Sequence, residues 1–224
     1  MTDSPTQPPD WARRIADAVR DVDDIGLART LPAPPSTARA SAVLMLFGSG
    51  AAGPDLVMIE RAHGMRSHAG QVAFPGGAAD PGDPGPAATA LREAHEEIGL
   101  DPAGVELLVE LPALWLPPSN FAVTTVLGWW REESPVAVVD PGEVAAVLRV
   151  PVSELTDPAR RFTVRHPSGY RGPGFDLPCQ LVLWGFTAAL VDQVLRLAGL
   201  ERPWDRTRTR SAPLEPTAGP SERR

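Results

Sequence analysis

The segment from Pro86 to Ile98 can satisfy its own sequence only as a helix with two different faces, and that requirement shapes everything around it. At about 100° per residue, Ala87, Ala90, Leu91, Ala94 and Ile98 fall on one narrow apolar stripe, while Glu93, Glu96 and Glu97 gather on an adjoining one. The first stripe must be buried against other elements. The second places like charges at i, i+3 and i+4, which costs about 0.2–0.5 kcal/mol per pair unless something relieves the repulsion. A hard divalent cation does so, because Mg2+ and Mn2+ favour carboxylate oxygens and keep water and phosphate in their shells. An acidic helix face is also commonly just solvated, so the surroundings have to decide. Gly76 and Gly77 permit a tight turn and close approach of chain or ligand just upstream, Pro86 suits a first helical turn and Gly99 suits the C-terminal cap.

The remaining chain limits what such a helix can serve. With 43% hydrophobic and 22% charged residues in 224, one domain with a sizeable core is expected. The 26 Pro and 20 Gly imply long loops and flexible ends. Every basic residue is Arg, which excludes a Lys Schiff base or a P-loop lysine. A net charge of −7 argues against nucleic-acid binding through the phosphate backbone, although a local Arg cluster is enough for one small anion. The single cysteine, Cys179, allows neither an internal disulfide nor a multi-Cys metal site, so a reducing compartment is expected. Neither a signal-peptide pattern at the start nor an apolar run of membrane-spanning length is present, so the expectation is a cytoplasmic protein that does not enter a membrane.

Along the chain, Asp10 to Asp24 reads as a short amphipathic helix packed on the body through Trp11, Ile15, Ala18, Val19 and Val22. A Pro-rich linker completes a leading segment, 1–37, before a main domain at 38–200. Strands are expected at 41–47 and 56–61, joined as a hairpin across the glycines at 48–53, and again at 105–110, 122–130 and 144–150. Leu181 to Leu200 reads as one long helix. The tail from 201 to 224, rich in Arg and Pro and poor in apolar residues, reads as disordered.

Gly77 to Leu100 resembles the Nudix box, the signature of hydrolases acting on nucleoside diphosphates linked to another moiety. The match Arg92-Glu93-Ala94-x-Glu96-Glu97-x-Gly99-Leu100 is complete in the C-terminal half. In the N-terminal half Gly77 lies one residue further from Arg92 than the general box allows, and Asp83 stands where a Glu is customary. The longer loop is similar to that of the coenzyme A pyrophosphatase branch, which carries a second motif upstream. Here that motif reads Arg61-Ala62-x-x-x-Arg66-x-x-x-Gly70-x-x-x-Phe74-Pro75-Gly76-Gly77. Weaker likenesses at Leu116 to Gly128 and Trp184 to Ala188 extend the resemblance over much of 40–200.

The resemblance implies an α+β fold, an α/β/α sandwich with a mixed β-sheet. It implies that Glu93, Glu96 and Glu97 hold Mg2+ or Mn2+, that Arg92 fixes a carboxylate with a forked hydrogen bond, and that Arg61, Arg66, Gly76 and Gly77 meet the substrate. Arg61, Arg66 and Arg92 are also compatible with structural ion pairs. Glu143, in Asp140-Pro-Gly-Glu143, is the candidate for a fourth carboxylate that binds metal or takes a proton from water, against an ordinary exposed loop Glu. His68 and His95 read as hydrogen-bonded or surface histidines, and Trp115, Trp129, Trp130 and Trp184 mostly as core. The implied reaction is hydrolysis of the diphosphate of coenzyme A, acylated or oxidised forms included, to 4′-phosphopantetheine and adenosine 3′,5′-bisphosphate. A diphosphatase for ADP-ribose, NADH or a nucleoside triphosphate, and a catalytically silent nucleotide-sensing module, stand as alternatives, and a homodimer is left open.

Overall fold

The apolar runs at 41–47 and 56–61 read as continuous because both of their faces are buried. In the computed structural model, which describes residues 7–20, 32–65 and 67–213, they are the centre of a mixed sheet with helices on each side. In chain order the described elements are α1 (Asp10–Arg20), β1 (Arg39–Gly50), β2 (Gly53–Arg61), β3 (Val72–Ala73), β4 (Gly76–Ala78), α2 (Pro86–Ile98), β5 (Val105–Glu110), β6 (Leu114–Leu116), β7 (Phe121–Trp130) and β8 (Val144–Pro151). They continue with α3 (Val152–Leu155), β9 (Arg161–Arg165), β10 (Arg171–Asp176), β11 (Val182–Leu183), α4 (Gly185–Leu197) and β12 (Thr209–Ser211).

Side-chain alternation divides the core in two. Leu44 and Leu46 of β1 and Val57 and Ile59 of β2 pack with Ala90, Ala94 and Ile98 of α2. Their neighbours Met45, Phe47, Leu56 and Met58 belong to the opposite layer, with Ile15 and Val19 of α1 and Leu190, Val191, Val194 and Leu195 of α4. Helix α1 thus shares the main core instead of standing apart from it. The result is the expected α/β/α sandwich.

The sheet is opened at one place. β1 and β2 pair as a hairpin only from Leu46 opposite Val57 to Gly50 opposite Gly53. Beyond that they diverge, and residues 72–78 fill the fork: β3 pairs with Ile59 and Glu60 of β2, and β4 with Ser41, Ala42 and Val43 of β1. β7 runs parallel to β1, whereas β8 lies antiparallel to β2 and β5 antiparallel to β7. The wedge carries Phe74-Pro75-Gly76-Gly77 to the acidic side of α2.

Several boundaries differ from expectation. The first helix is described to Arg20, and 21–24 lie outside the described residues. The long helix at 181–200 is shorter: Leu181 and Trp184 are extended, Val182–Leu183 pairs with β10, and Gly185, at φ 72°, starts α4. The second sheet, β11-β10-β9-β12, was not anticipated at all.

The tail also departs from the disordered reading over 201–213. Thr209–Ser211 pairs in parallel with β9. Arg161, 1% exposed, lies between the rings of Phe175 and Trp204 at 4.4 and 4.7 Å, bonds Asp192 of α4 and approaches Glu201 at 3.9 Å. A buried guanidinium needs that cover and countercharge, and the polar composition of the segment concealed it. Residues 214–224 lie outside the described residues. Truncation after Leu200 is therefore expected to destabilise the chain by about 2 kcal/mol or more, lowering Tm by about 4–8 °C. Calorimetry of the truncated and full chains tests this, and an unchanged Tm would contradict the packing described.

Candidate active site

Helix α2 begins at Pro86 after an extended Gly85 and ends at Gly99, whose left-handed backbone donates its N–H to His95 O at 2.9 Å. Burial of Ala90, Ala94 and Ile98 on the sheet fixes the rotation of the helix and turns Glu93 and Glu97 toward the wedge, with Glu96 exposed beside them.

Two glycines allow the contact. Gly76, at φ 152°, donates its N–H to Glu97 Oε2 at 2.9 Å, and a Cβ there would strike the Ala42 carbonyl. A Cβ at Gly77 would land on the Glu93 carboxylate. Gly76 thus directs its N–H at a protein carboxylate and not at a ligand.

Glu97 is 2% exposed, and its Oε1 has no hydrogen-bond partner among the described residues. Burial pushes its carboxyl up to about 8; the Gly76 N–H and Arg61 oppose the shift, and the Glu93 and Glu143 carboxylates add to it. Glu93 is raised for the same first reason, with Arg92 opposing and Glu96 and Glu143 reinforcing. Glu143, on an exposed turn before β8, therefore stands close enough to act on both box carboxylates.

Arg61 ends β2 where its pairing with β8 slips by a residue, and its N–H donates to Gln71 O at 3.0 Å. Its Nε is buried and unpartnered among the described residues. Arg66 lies outside them. His68 Nδ1 meets Gln71 Oε1 at 3.1 Å and His95 Nδ1 meets Leu100 O at 2.9 Å, as hydrogen-bonded histidines should. Trp129 and Trp130 are core at 1% exposure, whereas Trp184 stacks on His166.

Arg92 makes the forked bond, and its partner is Asp83: Nε to Oδ1 at 3.2 Å and Nη2 to Oδ2 at 3.1 Å. Asp83 also accepts from Thr89 Oγ1 at 2.8 Å and from the Asp80 N–H at 3.0 Å. Chiefly because of the Arg92 bond, the Asp83 carboxyl is held well below the usual range. The Arg92 Nη1 bridges Glu93 Oε1 and Glu96 Oε2 at 2.9 and 3.0 Å. Sequence reasoning assigned Asp83 no role; the signal was the need of a half-buried Arg92 for a carboxylate in the preceding loop.

The NUDIX domain family profile matches residues 37–171. The chain belongs to the Nudix family.

Its relatives include Nudix hydrolases named NudL, described as uncharacterized: one from Enterobacter sp. (strain 638) is 37% identical over 66% of this chain and 77% of its own length. The Escherichia coli (strain K12) protein is 33% identical over the same shares. The fold is shared with a Nudix hydrolase from M. smegmatis, RenU, at a TM-score of 0.52 and 19% identity over 75% of this chain and 90% of that one. The chain is accordingly a Nudix hydrolase acting on the diphosphate bond of small nucleotide-derived substrates. Nudix hydrolases generally use divalent ions such as Mg2+ or Mn2+. Among the described residues no helix is long and apolar enough to cross a membrane.

The donor set fits such an ion in chemistry: all oxygens, with the Glu97 Oε1 buried and without a hydrogen-bond partner among the described residues. Among the described residues no three acidic or His side chains already converge on one point, because Arg92 holds Glu93 and Glu96 while Gly76 holds Glu97. Arg92 engages one oxygen of Glu93 and one of Glu96, so each carboxylate keeps a second oxygen that such an ion could use.

The sign of the Glu97 shift gives a measurable consequence. Its folded value of about 8 exceeds the ordinary 4.5, so in chelator its stabilising contribution is full below about 4.5 and is lost as pH rises toward 8. Glu97→Gln is expected to unfold like the native chain at pH 4.5 and to be more stable at pH 8.5 when metal is absent. Urea titrations in chelator read this; a native chain with no excess loss of stability over that window would contradict it.

Proposed function

We propose that the chain hydrolyses the diphosphate of coenzyme A, free, acylated or oxidised, to 4′-phosphopantetheine and adenosine 3′,5′-bisphosphate. The observation carrying this reading is that the upstream motif and the Nudix box meet in space: the glycines ending that motif touch Glu97 and Glu93. A motif similar to that of the coenzyme A pyrophosphatase branch thus belongs to the same site as the acidic helix.

Glu93, Glu96 and Glu97 would hold Mg2+ or Mn2+, which supplies positive charge to the diphosphate oxygens and acidifies the attacking water. Arg92, fixed on Asp83, orients Glu93 and Glu96 through its remaining nitrogen. Arg61 and Arg66 are suited to forked contacts with phosphate, of which coenzyme A has a 3′-phosphate besides the diphosphate. Glu143, exposed beside the box carboxylates, takes the proton of the water as its oxygen bonds to phosphorus and the bridging P–O bond breaks. Gly77 serves by leaving room for the Glu93 carboxylate.

The test is a panel of coenzyme A, acyl-coenzyme A, ADP-ribose, NADH and nucleoside triphosphates with Mg2+ or Mn2+, with products resolved by chromatography and mass. Adenosine 3′,5′-bisphosphate formed at the highest kcat/KM is the expected result, and faster cleavage of another member would discard the substrate assignment. On the best substrate, Glu96→Gln, Glu97→Gln and Gly77→Ala should each lower kcat by about two orders of magnitude in a folded protein. Unchanged turnover in both Glu variants would remove the metal assignment.

A further inference from the structure

We propose that Asp140 is a positioning residue that holds Glu143 at the carboxylate cluster; this rests on the reading of Glu143 as the group that acts on the water. The side chain of Glu143 has no hydrogen-bond or ion-pair partner among the described residues, so its place relative to Glu93 and Glu97 is set by its backbone. That backbone is the turn Asp140-Pro141-Gly142-Glu143, and its contacts converge on Asp140.

Asp140 Oδ1 accepts the Gly142 N–H at 2.8 Å. Its carbonyl accepts from Glu143 N at 3.2 Å and Val144 N at 2.9 Å, closing the turn into β8. Asp at the first position and Pro at the second are the residues that such a turn favours, the one for its acceptor and the other for its fixed φ. The turn is anchored at both ends to the rest of the site. Just before it, Val139 donates its N–H to the Glu97 carbonyl at 3.0 Å, and Ala137 donates to the Ile98 carbonyl at 3.1 Å, tying it to the last turn of α2. At its other end the Glu143 carbonyl accepts the Ala62 N–H at 2.8 Å, immediately after Arg61. One short segment thus joins the backbones of Glu97, Ala62 and Glu143. The acceptor that folds it is the only side chain in the turn bonding to the turn's own backbone among the described residues. Removing that acceptor frees the Gly142 N–H to water and loosens the middle of the turn from which the Glu143 side chain projects, while the backbone bonds at its ends remain and the exposed turn contributes little to global stability.

The test uses the full chain with Mg2+ and the fastest-cleaved member of the panel. Asp140→Ala is expected to lower kcat by about tenfold to a hundredfold with KM and Tm nearly unchanged. Asp140→Asn keeps a side-chain oxygen acceptor and should retain most of the turnover. Introduced into Glu143→Gln, Asp140→Ala should cost little further, because the two act as one unit. Loss in Asp140→Asn equal to that in Asp140→Ala would show that the Asp140 charge is used directly and would overturn the positioning role. Full turnover in Asp140→Ala, or losses that multiply in the double variant, would overturn it as well. If Glu143→Gln by itself leaves kcat unchanged, the reading of Glu143 falls and the proposal with it, a result distinct from failure of Asp140 alone.

Discussion

The acidic end of α2 depends on one hydrogen bond, from the Gly76 N–H to Glu97. It joins the wedge strand to the helix from which the carboxylates project, and it is the only partner the buried Glu97 side chain has among the described residues. For the bond to form, the strand must come so close that neither Gly76 nor Gly77 can carry a Cβ. The pair of glycines, the fork between β1 and β2, and the rotation of α2 set by Ala90 and Ala94 are therefore parts of one geometric requirement. A Cβ at Gly77 would meet the Glu93 carboxylate directly, whereas one at Gly76 would press on the backbone of β1.

A second constraint explains how the longer loop before α2 is tolerated. An added residue between Gly77 and Arg92 must be accommodated somewhere, and the loop is pinned by Asp83, which gathers Arg92, Thr89 and the Asp80 N–H on one carboxylate. With Asp83 engaged in this way, Arg92 has one nitrogen left, and that nitrogen spans Glu93 and Glu96. The aspartate at a position where the family customarily has glutamate is thus consistent with a loop that approaches the guanidinium more closely.

How much of this was legible in the sequence varies with the range of the interaction. Helix α2 was readable to the residue because its signals are local: Pro86 at the start, Gly99 at the end and a clean apolar stripe between. β5 was likewise found where its run of apolar residues is bounded by turns. The second sheet was not, because Gly172-Pro173-Gly174 in β10 looks like loop and forms a strand only when Gly174 lets the Phe162 ring lie against it. The break at Trp184-Gly185 was hidden for the opposite reason: the apolar pattern of a helix continues through it, while the chain is already committed to β11. Segment 201–213 looks solvated until Arg161, forty residues earlier, is seen to need the Trp204 ring. The carboxylate set was legible as residues, with Glu143 as a candidate fourth member, but Arg92 bridging Glu93 and Glu96 was a product of the fold.

The charge around the wedge indicates what can enter it. Glu93, Glu96, Glu97 and Glu143 face Arg61 and Arg92, and the fork of Arg92 is already occupied by Asp83. Negative charge is left over: burial is the first cause raising the carboxyls of Glu93 and Glu97, and neighbouring carboxylates add to it, Glu96 and Glu143 at Glu93, and Glu93 and Glu143 at Glu97. A diphosphate approaching that surplus alone would be repelled. A cation would be attracted by the same surplus and would lower it, after which Arg61, whose Nε has no hydrogen-bond partner among the described residues, would add to the attraction for phosphate. In the proposed reading the carboxylate excess would thus favour a cation first and, through it, an anionic substrate.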